Sequence, residues 1–195
     1  IIDFSQLPAS TTEIYLVNRA EQTNGRGPSG VRLSMNASPK LLKLIIRPGA
    51  VAPDNSRVPA VLKPKPLMDL PVAQERSWHF GRVNGMWTVN DKVVDLNRCD
   101  AQIKQGTAEI WNLSTGGGWA HPVHIHLEEY HILSYNEKPV TGTSLGGRKD
   151  VFTLYPGDEM RIYMKFRDWL GKYVMHCHNA VHEDHAMMVR WDIVP

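Results

Sequence analysis

The stretch Lys172-Tyr173-Val174-Met175-His176-Cys177 is a short run with aromatic and β-branched side chains, which is typical of a β-strand. Similar short runs, bounded by Gly, Pro, Asn and Asp, recur along the chain without a long helical pattern between them. The sequence therefore predicts an antiparallel all-β protein. The predicted strands are Thr12–Asn18, Leu41–Arg47, Thr107–Leu113, Val123–Ser134, Val151–Leu154, Glu159–Phe166, Lys172–Cys177 and Met188–Ile193.

Proline divides the chain into parts. Six prolines lie between residues 48 and 71, and proline cannot donate a hydrogen bond to a strand ladder. We therefore expect terminal strands in residues 1–47, an extended linker in residues 48–75 and a β-sandwich in residues 76–195. Because the chain begins with Ile1 rather than Met, we also expect its start to be a processing or cleavage point.

Composition narrows the possible functions. The 195 residues are 42% hydrophobic, which is enough to bury a real core. The formal net charge of +2 is too small to indicate a nucleic-acid partner. No apolar run approaches the roughly 18 residues of a membrane span, so we expect no membrane-spanning segment.

Two histidine-rich segments carry the chemistry. Alternate side chains of a strand share a face, so His176 and His178 point one way while Cys177 points the other way. By the same rule His124 and His126 share a face in the segment His121-Pro122-Val123-His124-Ile125-His126. The single tripeptide around Cys177 is therefore expected to contact two different metal sites.

The ligand types indicate copper. A thiolate, two imidazoles and a weak axial thioether form a blue-copper centre, and Cys177, His121, His182 and Met187 supply that set. The histidines of the other face suit further copper ions that bind oxygen. An electron taken up at the thiolate would reach them through Cys177 and its neighbours alone. These other histidines are His124, His126, His176 and His178.

Both segments resemble the copper motifs of the multicopper oxidases, most closely those of the bilirubin oxidase and spore-coat laccase branch. Residues 121–126 match the pattern H-P-x-H-x-H, and residues 176–187 match H-C-H-x-x-x-H-x-x-x-x-M. Residues 87–91 look like the strand and turn that open the third domain of that family, and residues 1–5 look like the end of its second domain. The resemblance implies a cupredoxin-like Greek-key β-sandwich, preceded by a partial β segment of a second cupredoxin domain.

The resemblance also assigns roles. It implies that electrons are taken one at a time from a small donor at type 1 copper and used at a trinuclear cluster to reduce O2 to water. It further implies a periplasmic or secreted protein. The implied ligands are His121, Cys177, His182 and axial Met187 for type 1 copper, His124 for type 2 copper, and His126, His176 and His178 for type 3 copper.

The trinuclear motifs are incomplete. The family uses four H-x-H motifs, whereas this chain has two, and its remaining histidines His79, His131 and His185 are isolated. We therefore expect a partner polypeptide with the other two motifs, either a separate subunit or the other product of a cleaved precursor. The main alternative is a blue-copper electron-transfer protein without oxygen chemistry, and copper-dependent nitrite reduction is a third possibility. Neither alternative explains all four histidines of the second set.

Residues near the motifs suggest how protons and donors are handled. By the resemblance, Glu183 is a proton relay, and the alternative is a surface carboxylate beside a turn. Trp119 either stacks an aromatic donor or carries an electron toward copper, and the alternative is that it only shields the site. Trp111 flanks the same motif. Gly116-Gly117-Gly118 predicts an open loop there. Phenols, aromatic amines or tetrapyrroles are the expected donors.

Four further residues allow less specific expectations. The pair Glu128 and Glu129 could suggest a manganous substrate, but we expect an exposed, solvated strand face. His79 lies between two aromatic residues, so we expect it to pack among them. Cys99 is expected to be a small buried residue, with a disulfide to another chain as the alternative.

Overall fold

The computed structural model describes residue 4 and residues 6–47, 55–60, 68–140 and 142–195. The chain divides into two compact units, residues 1–62 and residues 63–195. Much of the predicted linker 48–75, and most of the predicted domain end at residues 1–5, lies outside the described residues, so these predictions remain predictions. No described helix has the length and apolar character that crossing a bilayer requires.

The first unit contains one antiparallel strand pair. Strand β1 (Glu13–Val17) pairs with β2 (Lys40–Ile45), and each agrees with a predicted strand to within two residues at either end. Lys43 forms an ion pair with Glu13 across the two strands. Most of the apolar side chains of β2 are exposed, so this pair buries little surface of its own.

The second unit is a sandwich of two sheets. Its strands are β3 (Val72–Val83), β4 (Met86–Val89), β5 (Ala101–Lys104), β6 (Thr107–Thr115), β7 (His121–Ile125), β8 (His131–Tyr135), β9 (Lys138–Pro139), β10 (Val151–Leu154), β11 (Glu159–Phe166), β12 (Gly171–Cys177) and β13 (Met188–Val194). The five-stranded sheet has the order β10-β7-β12-β13-β5, and the six-stranded sheet has the order β4-β3-β6-β11-β8-β9. A five-residue helix, α1 (Ala180–Asp184), and a 3-10 turn (Ser144–Gly146) complete the unit.

The hydrophobic core lies between these two sheets. Alternate residues of β6 and β11 turn inward, and they meet inward residues of β12 and β13 in one continuous cluster. At its centre Trp111 and Trp191 are fully buried and meet edge to face, with ring centroids 5.8 Å apart. Large aromatic side chains that bridge both sheets contribute most of the apolar burial that holds a sandwich together. The all-β prediction is confirmed.

The prediction of purely antiparallel pairing is wrong at two places. Strand β3 runs parallel to β6, and β13 runs parallel to β5. Each of these pairs joins strands that are not consecutive in sequence, so their direction follows from the long connections between them. A local residue pattern carries no information about such a connection. The predicted strands did not include β3, β5 or β9, whereas β4 lies where residues 87–91 resembled a strand and turn. Strand β3 begins at Val72, inside the range predicted as linker.

The predicted single strand Val123–Ser134 is also wrong. The chain leaves the five-stranded sheet after Ile125, turns through Leu127 at a φ of +72°, and joins the six-stranded sheet at His131. Apolar runs on both sides of the turn made it look continuous, because the turn contains neither Gly nor Pro. The consequence for the site is that the last histidine of the first motif lies at the point where the chain leaves β7.

Candidate metal centre

Two neighbouring strands place the predicted ligands on opposite faces of one sheet. In the antiparallel pair β7 and β12, His124 lies opposite His176, and Val123 lies opposite Cys177. Residues directly opposite each other share a face, so the two histidines point to one side and Cys177 points to the other side. His121 is two residues from Val123 and therefore shares the face of Cys177.

The core-facing side holds what we call the buried cluster, formed by His121, Cys177 and His182 and accompanied by Met187. The Cys177 Sγ lies 3.6 Å from the His121 Nδ1 and 3.4 Å from the His182 Nδ1, and the two nitrogens are 3.2 Å apart. Cys177, His182 and Met187 are each 0% exposed. Three ligand atoms of the types predicted for type 1 copper therefore converge on one small volume.

These distances fit a metal ion. A point equidistant from the three atoms lies about 2.0 Å from each, close to a metal–imidazole bond and slightly shorter than a metal–thiolate bond. Copper uses a thiolate, two imidazoles and a thioether as ligands in blue electron-transfer sites, and the candidate thioether is that of Met187, whose backbone is hydrogen-bonded to Cys177. The residues present therefore suit copper in both chemistry and spacing.

A short loop and helix bring His182 and Met187 back to Cys177. The Asn179 side chain accepts a hydrogen bond from the Val181 N–H and so caps α1 at its start, while the Asn179 N–H points at the Cys177 Sγ from 3.5 Å. The Cys177 N–H donates to the Met187 carbonyl, and the Met187 N–H donates to the His182 carbonyl. The backbone thus closes a loop around the sulfur atom.

Burial sets the charge state of the buried cluster. Desolvation raises the pKa of the Cys177 thiol to about 11. Desolvation lowers the pKa of His121 to about 4, with repulsion from His182 as the second cause. It also lowers the pKa of His182 to about 4, and the positive charge of Arg82 adds to that effect. Both imidazoles are therefore neutral at pH 7 and able to bind a metal, and a cation would supply the charge that a buried thiolate requires.

The opposite face holds what we call the open cluster, formed by His124, His126, His176 and His178. Ligand nitrogens of His124, His176 and His178 lie within 4.8 Å of one another, and the Nε2 atoms of His126 and His176 are 3.1 Å apart. His176 is buried, His124 is half-buried, and the other two are exposed. The predicted second set of ligands is thus brought together, on a face that remains accessible.

Hydrogen bonds orient the open cluster. The Nδ1 of His124 lies 2.9 Å from the Asp150 carbonyl, which can only accept, so this nitrogen carries the proton and the Nε2 remains free as a ligand. Burial lowers the pKa of His126, and neighbouring histidines lower it further. Burial also lowers the pKa of His176. These imidazoles therefore favour the neutral form that metal binding requires.

Glu183 lies within the second motif and next to a member of each cluster. It is in the first turn of α1, directly after the ligand candidate His182. Its carboxylate oxygen lies 3.5 Å from the Nδ1 of His176, the nitrogen that faces away from His126. The side chain of Glu183 is 38% exposed. One carboxylate therefore contacts both a buried histidine of the open cluster and the solvent.

A pocket of about 210 Å³ opens beside the buried cluster. It reaches His121, and its wall includes Trp119, which meets Trp87 at a ring-centroid distance of 4.8 Å and His182 at 5.5 Å. A donor in this pocket would contact both a metal ligand and an aromatic neighbour of a second ligand. The lining residues are His79, Phe80, Gly81, Arg82, Trp87, Gly116, Gly117, Trp119 and His121.

Sequence reasoning missed Arg82 and Trp87 as members of this site. Trp87 is buried and stacks on His182, with ring centroids 3.7 Å apart. The motif around Trp87 resembled the start of a domain, but nothing in the sequence alone links it to a histidine almost a hundred residues away. The available signal was the Asn84-Gly85 pair between alternating residues, which predicts a hairpin and hence a close pair of strands.

The expectation for His79 is wrong, and Trp111, which flanks the first motif in sequence, lies in the core. Trp111 is fully buried and donates a hydrogen bond to Glu109, so it belongs to the core and not to the donor side. His79 is exposed, and its Nδ1 lies 3.0 Å from the Ser114 hydroxyl. Trp78 is buried while its neighbour His79 points outward, because adjacent residues of a strand face opposite sides. His79 therefore lines the pocket instead of packing among the aromatic side chains.

The remaining sequence candidates lie outside both clusters. Glu128 is buried and pairs with Arg167, so the expected solvated face is wrong there, while Glu129 forms an ion pair with Arg148. Both acids are thus neutralised by arginine. Cys99 is half-buried, and its Sγ lies 3.1 Å from the Ala101 carbonyl.

The two other isolated histidines are also accounted for within the described chain. His131 is buried and meets the ring of Tyr163 edge to face. His185 ends α1, and its N–H donates to the Val181 carbonyl. A C-terminal position on a helix is a common structural use of histidine. Both residues therefore have structural surroundings of their own, apart from the two clusters.

The fold and the two ligand clusters together define a cupredoxin-like copper protein. Residues 63–195 match the model of the multicopper oxidase family. The chain belongs to the multicopper oxidase family. Among solved structures, a multi-copper oxidase from Pediococcus acidilactici gives a TM-score of 0.65 at 26% identity, covering 80% of this chain and 33% of that chain. The predicted cupredoxin-like fold and the resemblance to this family are confirmed.

Curated relatives extend the likeness to nearly the whole chain. The bilirubin oxidase of Albifimbria verrucaria is 30% identical over 198 residues, which cover 98% of this chain and 34% of that protein. A multicopper oxidase of Staphylococcus haemolyticus is 37% identical over 111 residues, covering 54% of this chain and 24% of that protein. Laccases are among the further relatives. The chain thus spans only about a quarter to a third of the length of the first two relatives.

Proposed function

We propose that this chain is the carboxyl-terminal part of a copper oxidase that draws electrons one at a time from a small aromatic donor. Copper would supply one-electron redox chemistry at the buried cluster and the reduction of O2 to water at a trinuclear site that includes the open cluster. The observation that supports this most directly is the arrangement of two histidine clusters on opposite faces of β7 and β12, with Cys177 between two members of the open cluster.

The pocket supports a small organic donor. It reaches His121, so an electron could enter through the edge of a ligand imidazole. Trp119, which is only partly buried, offers an aromatic ring against which a phenol, an aromatic amine or a tetrapyrrole could stack. Two glycines of the loop 116–118 line this opening and contribute no side chain that would obstruct it. The geometry therefore favours contact between donor and ligand without a long tunnelling distance.

The sequence around Cys177 supplies a covalent path between the clusters. Its sulfur belongs to the buried cluster, while the residues before and after it belong to the open cluster. His176 faces His126, and His178 lies beside His124, with ring centroids 5.1 Å apart. An electron leaving the sulfur therefore crosses only the bonds of adjacent residues. A protein that only carried electrons at the buried cluster would have no use for such a path.

The open cluster supports a partner polypeptide. It offers four imidazoles, and the 195 residues contain no further H-x-H motif. Two of its histidines are exposed, so ligands from another molecule could approach them without rearrangement of β7 or β12. We therefore propose that a second polypeptide with two H-x-H motifs completes the trinuclear site. A longer form of this chain that carried the motifs itself would not require the second polypeptide.

Glu183 is proposed as the proton relay. Reducing O2 to water consumes protons at a site with no other described carboxylate beside a buried histidine of the open cluster. The half-exposed carboxylate could take a proton from solvent and release it on the side of His176. Its contact with a ligand candidate keeps the proton close to the reacting site.

We further propose a periplasmic or secreted location, which suits a stable copper–thiolate site.

The competing function is a blue-copper electron carrier without oxygen chemistry. Its support is that the buried cluster is complete within the chain, whereas the open cluster is not. The two functions differ in what the four histidines of the open cluster do. In a carrier they would have no role in turnover, and their replacement would leave electron transfer unchanged.

Metal counting combined with oxygen uptake tests the proposal. The isolated chain should take up the blue copper and consume no oxygen, whereas its complex with the co-purifying partner should hold four coppers and consume oxygen with a phenolic donor. Mass analysis of the complex then identifies a second polypeptide or a longer chain. An isolated chain that holds four coppers and reduces oxygen would rule out the partner. One copper in every preparation would establish the carrier, and two coppers with nitrite turnover would establish the third possibility.

A further inference from the structure

A positively charged side chain lies against the buried cluster through one aromatic ring. The Trp87 ring stacks on His182, with centroids 3.7 Å apart and an angle of 28° between the planes. The guanidinium carbon of Arg82 lies 4.9 Å from the centroid of the same ring. Arg82, Trp87 and His182 therefore form a contiguous set of cation, indole and imidazole.

The hairpin of β3 and β4 fixes this set. Arg82 and Trp87 are directly opposite each other in the strand register. The turn between them contains Asn84 and Gly85, with φ values of +50° and +82°, which is the conformation of a tight two-residue hairpin. The Nε of Arg82 donates to the Gly85 carbonyl over 3.2 Å. Arg82 is exposed to solvent, but this hydrogen bond ties its guanidinium to its own turn.

The charge of Arg82 is not neutralised by a neighbour. No carboxylate among the described residues lies within ion-pair distance of it, whereas Arg76, Arg148 and Arg167 each have such a partner. Trp87, only 4% exposed, fills the space beside His182. Water is therefore displaced from between the cation and the imidazole, and a charge acting through a dry ring is screened less than one acting through solvent.

We propose that Arg82, acting through Trp87, raises the reduction potential of the copper that the buried cluster would hold. This inference rests on the proposed function, since it requires copper in that cluster. A fixed positive charge disfavours the doubly charged oxidised ion more than the singly charged reduced ion. Both residues are positioning residues, because neither is a ligand and their effect passes through His182.

The competing explanation is that Arg82 only attracts a negatively charged donor. Arg82 lines the pocket, so its guanidinium could pair with a donor carboxylate. The two explanations differ in what they require. An effect on the reduction potential needs no donor at all, whereas an effect on donor binding changes the KM for anionic donors and leaves the potential unchanged.

The test is a redox titration of the blue absorption in the copper-loaded protein, complexed with its partner where the partner is needed. We expect Arg82→Gln to shift the equilibrium with a one-electron mediator about three- to tenfold toward the oxidised copper, or about 30–60 mV at 59 mV per tenfold. Arg82→Lys should keep most of the wild-type potential, because the charge remains. Trp87→Leu should remove the effect of Arg82, so that the double variant matches Trp87→Leu alone.

Lys104→Gln is the matched control. Lys104 is exposed and pairs with Val194, about 20 Å along β13 from Met188, which follows the axial ligand candidate. The Lys104→Gln variant removes one positive charge from the same domain and should leave the reduction potential unchanged.

In the copper-free protein, the ring protons of His182 should show the upfield NMR shift that a stacked indole causes. Trp87→Leu should remove that shift, and Arg82→Gln should leave it in place.

The outcomes separate the possibilities. A lower potential in Arg82→Gln, restored by Arg82→Lys, supports the proposal. An unchanged potential with a raised KM for anionic donors overturns it and assigns Arg82 to donor binding. An equal shift from Lys104→Gln also overturns it, because the effect would then be one of total charge. If the wild type binds no copper at the buried cluster while the NMR shift of His182 is present, the proposed function fails and this inference fails with it.

Discussion

The buried cluster and the open cluster differ although the same two strands carry them. The buried cluster draws all its predicted ligands from this chain and is closed off by Trp87 and the core. The open cluster has four imidazoles on an accessible face and no further histidine of the chain beside them. One sheet thus presents three converging ligand atoms on its buried side and four imidazoles on its accessible side.

The difference indicates how many of the metal ligands for each step of an oxidase reaction a single domain can provide. One-electron uptake needs one ion in a dry and rigid site, which a single core can provide. Oxygen reduction needs several ions at once, and a strand pair offers only as many imidazoles as its alternation allows. In the proposed function the remaining ligands come from another molecule, which the accessible face of the open cluster would admit.

The largest expected effect comes from removing the sulfur that joins the two clusters. Cys177→Ser should abolish the blue absorption and all oxygen uptake, because a hydroxyl is a poor substitute for a copper-binding thiolate. Spectroscopy and an oxygen electrode measure both losses. The matched control is Cys99→Ser, in which the hydroxyl can keep the hydrogen bond to the Ala101 carbonyl. Blue absorption that survives in Cys177→Ser would remove the basis of the comparison.

The next effect should fall on one cluster only. His178→Gln replaces an exposed histidine of the open cluster, so we expect oxygen uptake to be lost while the blue absorption remains. Loss of an outer partner already costs about 10- to 100-fold in metal affinity, and loss of a ligand should cost more. Copper analysis should show fewer ions per complex. The control is His79→Gln, at an exposed histidine outside both clusters, which should keep the full copper content. Normal turnover in His178→Gln would favour the electron carrier.

A smaller effect is expected at the contact between the clusters. Glu183→Gln removes the carboxylate beside His176 and keeps the size of the side chain at position 183. Oxygen reduction should therefore slow roughly a hundredfold, while the copper content and the blue absorption persist. The rate of oxygen uptake as a function of pH measures the change. The control is Asp184→Asn, the exposed next residue of α1. If both variants turn over at the wild-type rate at every pH, Glu183 is not the relay.

Much of this arrangement could be predicted from the sequence. The two motifs specify which residue types share a face, and strand alternation then separates Cys177 from His176 and His178 without any knowledge of the fold. The neighbouring positions of the two motifs in the sheet did not follow from that rule. They depend on β7 pairing with β12, a contact between residues some fifty positions apart.

Other features could not be predicted because their causes are not local. Glu128 and Glu129 look alike in sequence, yet Glu128 is buried because Arg167 reaches it from the end of β11. Trp87 joins the site only because the hairpin of β3 and β4 lies over His182. His79 was misjudged from its aromatic neighbours, whereas its position on the outer face of β3 is what determines its surroundings. In each case a distant strand decides what a local pattern leaves open.

The last prediction concerns the stability of the copper-free protein, and its effect at neutral pH is the smallest. The buried cluster should determine most of the way in which the free energy of unfolding depends on pH. The folded-state pKa values of His121 and His182 are about 4, below the ordinary value of 6.5, so the unfolded chain binds more protons between these limits. The free energy of unfolding should therefore fall as the pH drops from about 6.5 to about 4. The expected loss is on the order of 3 kcal/mol for each of the two histidines, at 1.36 kcal/mol per pKa unit.

At alkaline pH the same cluster should change the free energy of unfolding in the opposite direction, so that stability falls as the pH rises. The Cys177 pKa of about 11 lies above the ordinary value of 9.0, so the folded state binds more protons there and stability should fall as the pH rises from about 9 to about 11. Urea unfolding between pH 4 and 11 measures both limbs. Cys177→Ser should weaken the alkaline limb and His121→Gln the acid limb, whereas a profile unchanged by either variant would show that the buried cluster does not control it. Copper should remove the alkaline limb, because the bound thiolate has no proton to lose. It should make the acid limb steeper, because unfolding then releases metal-free ligands that take up protons.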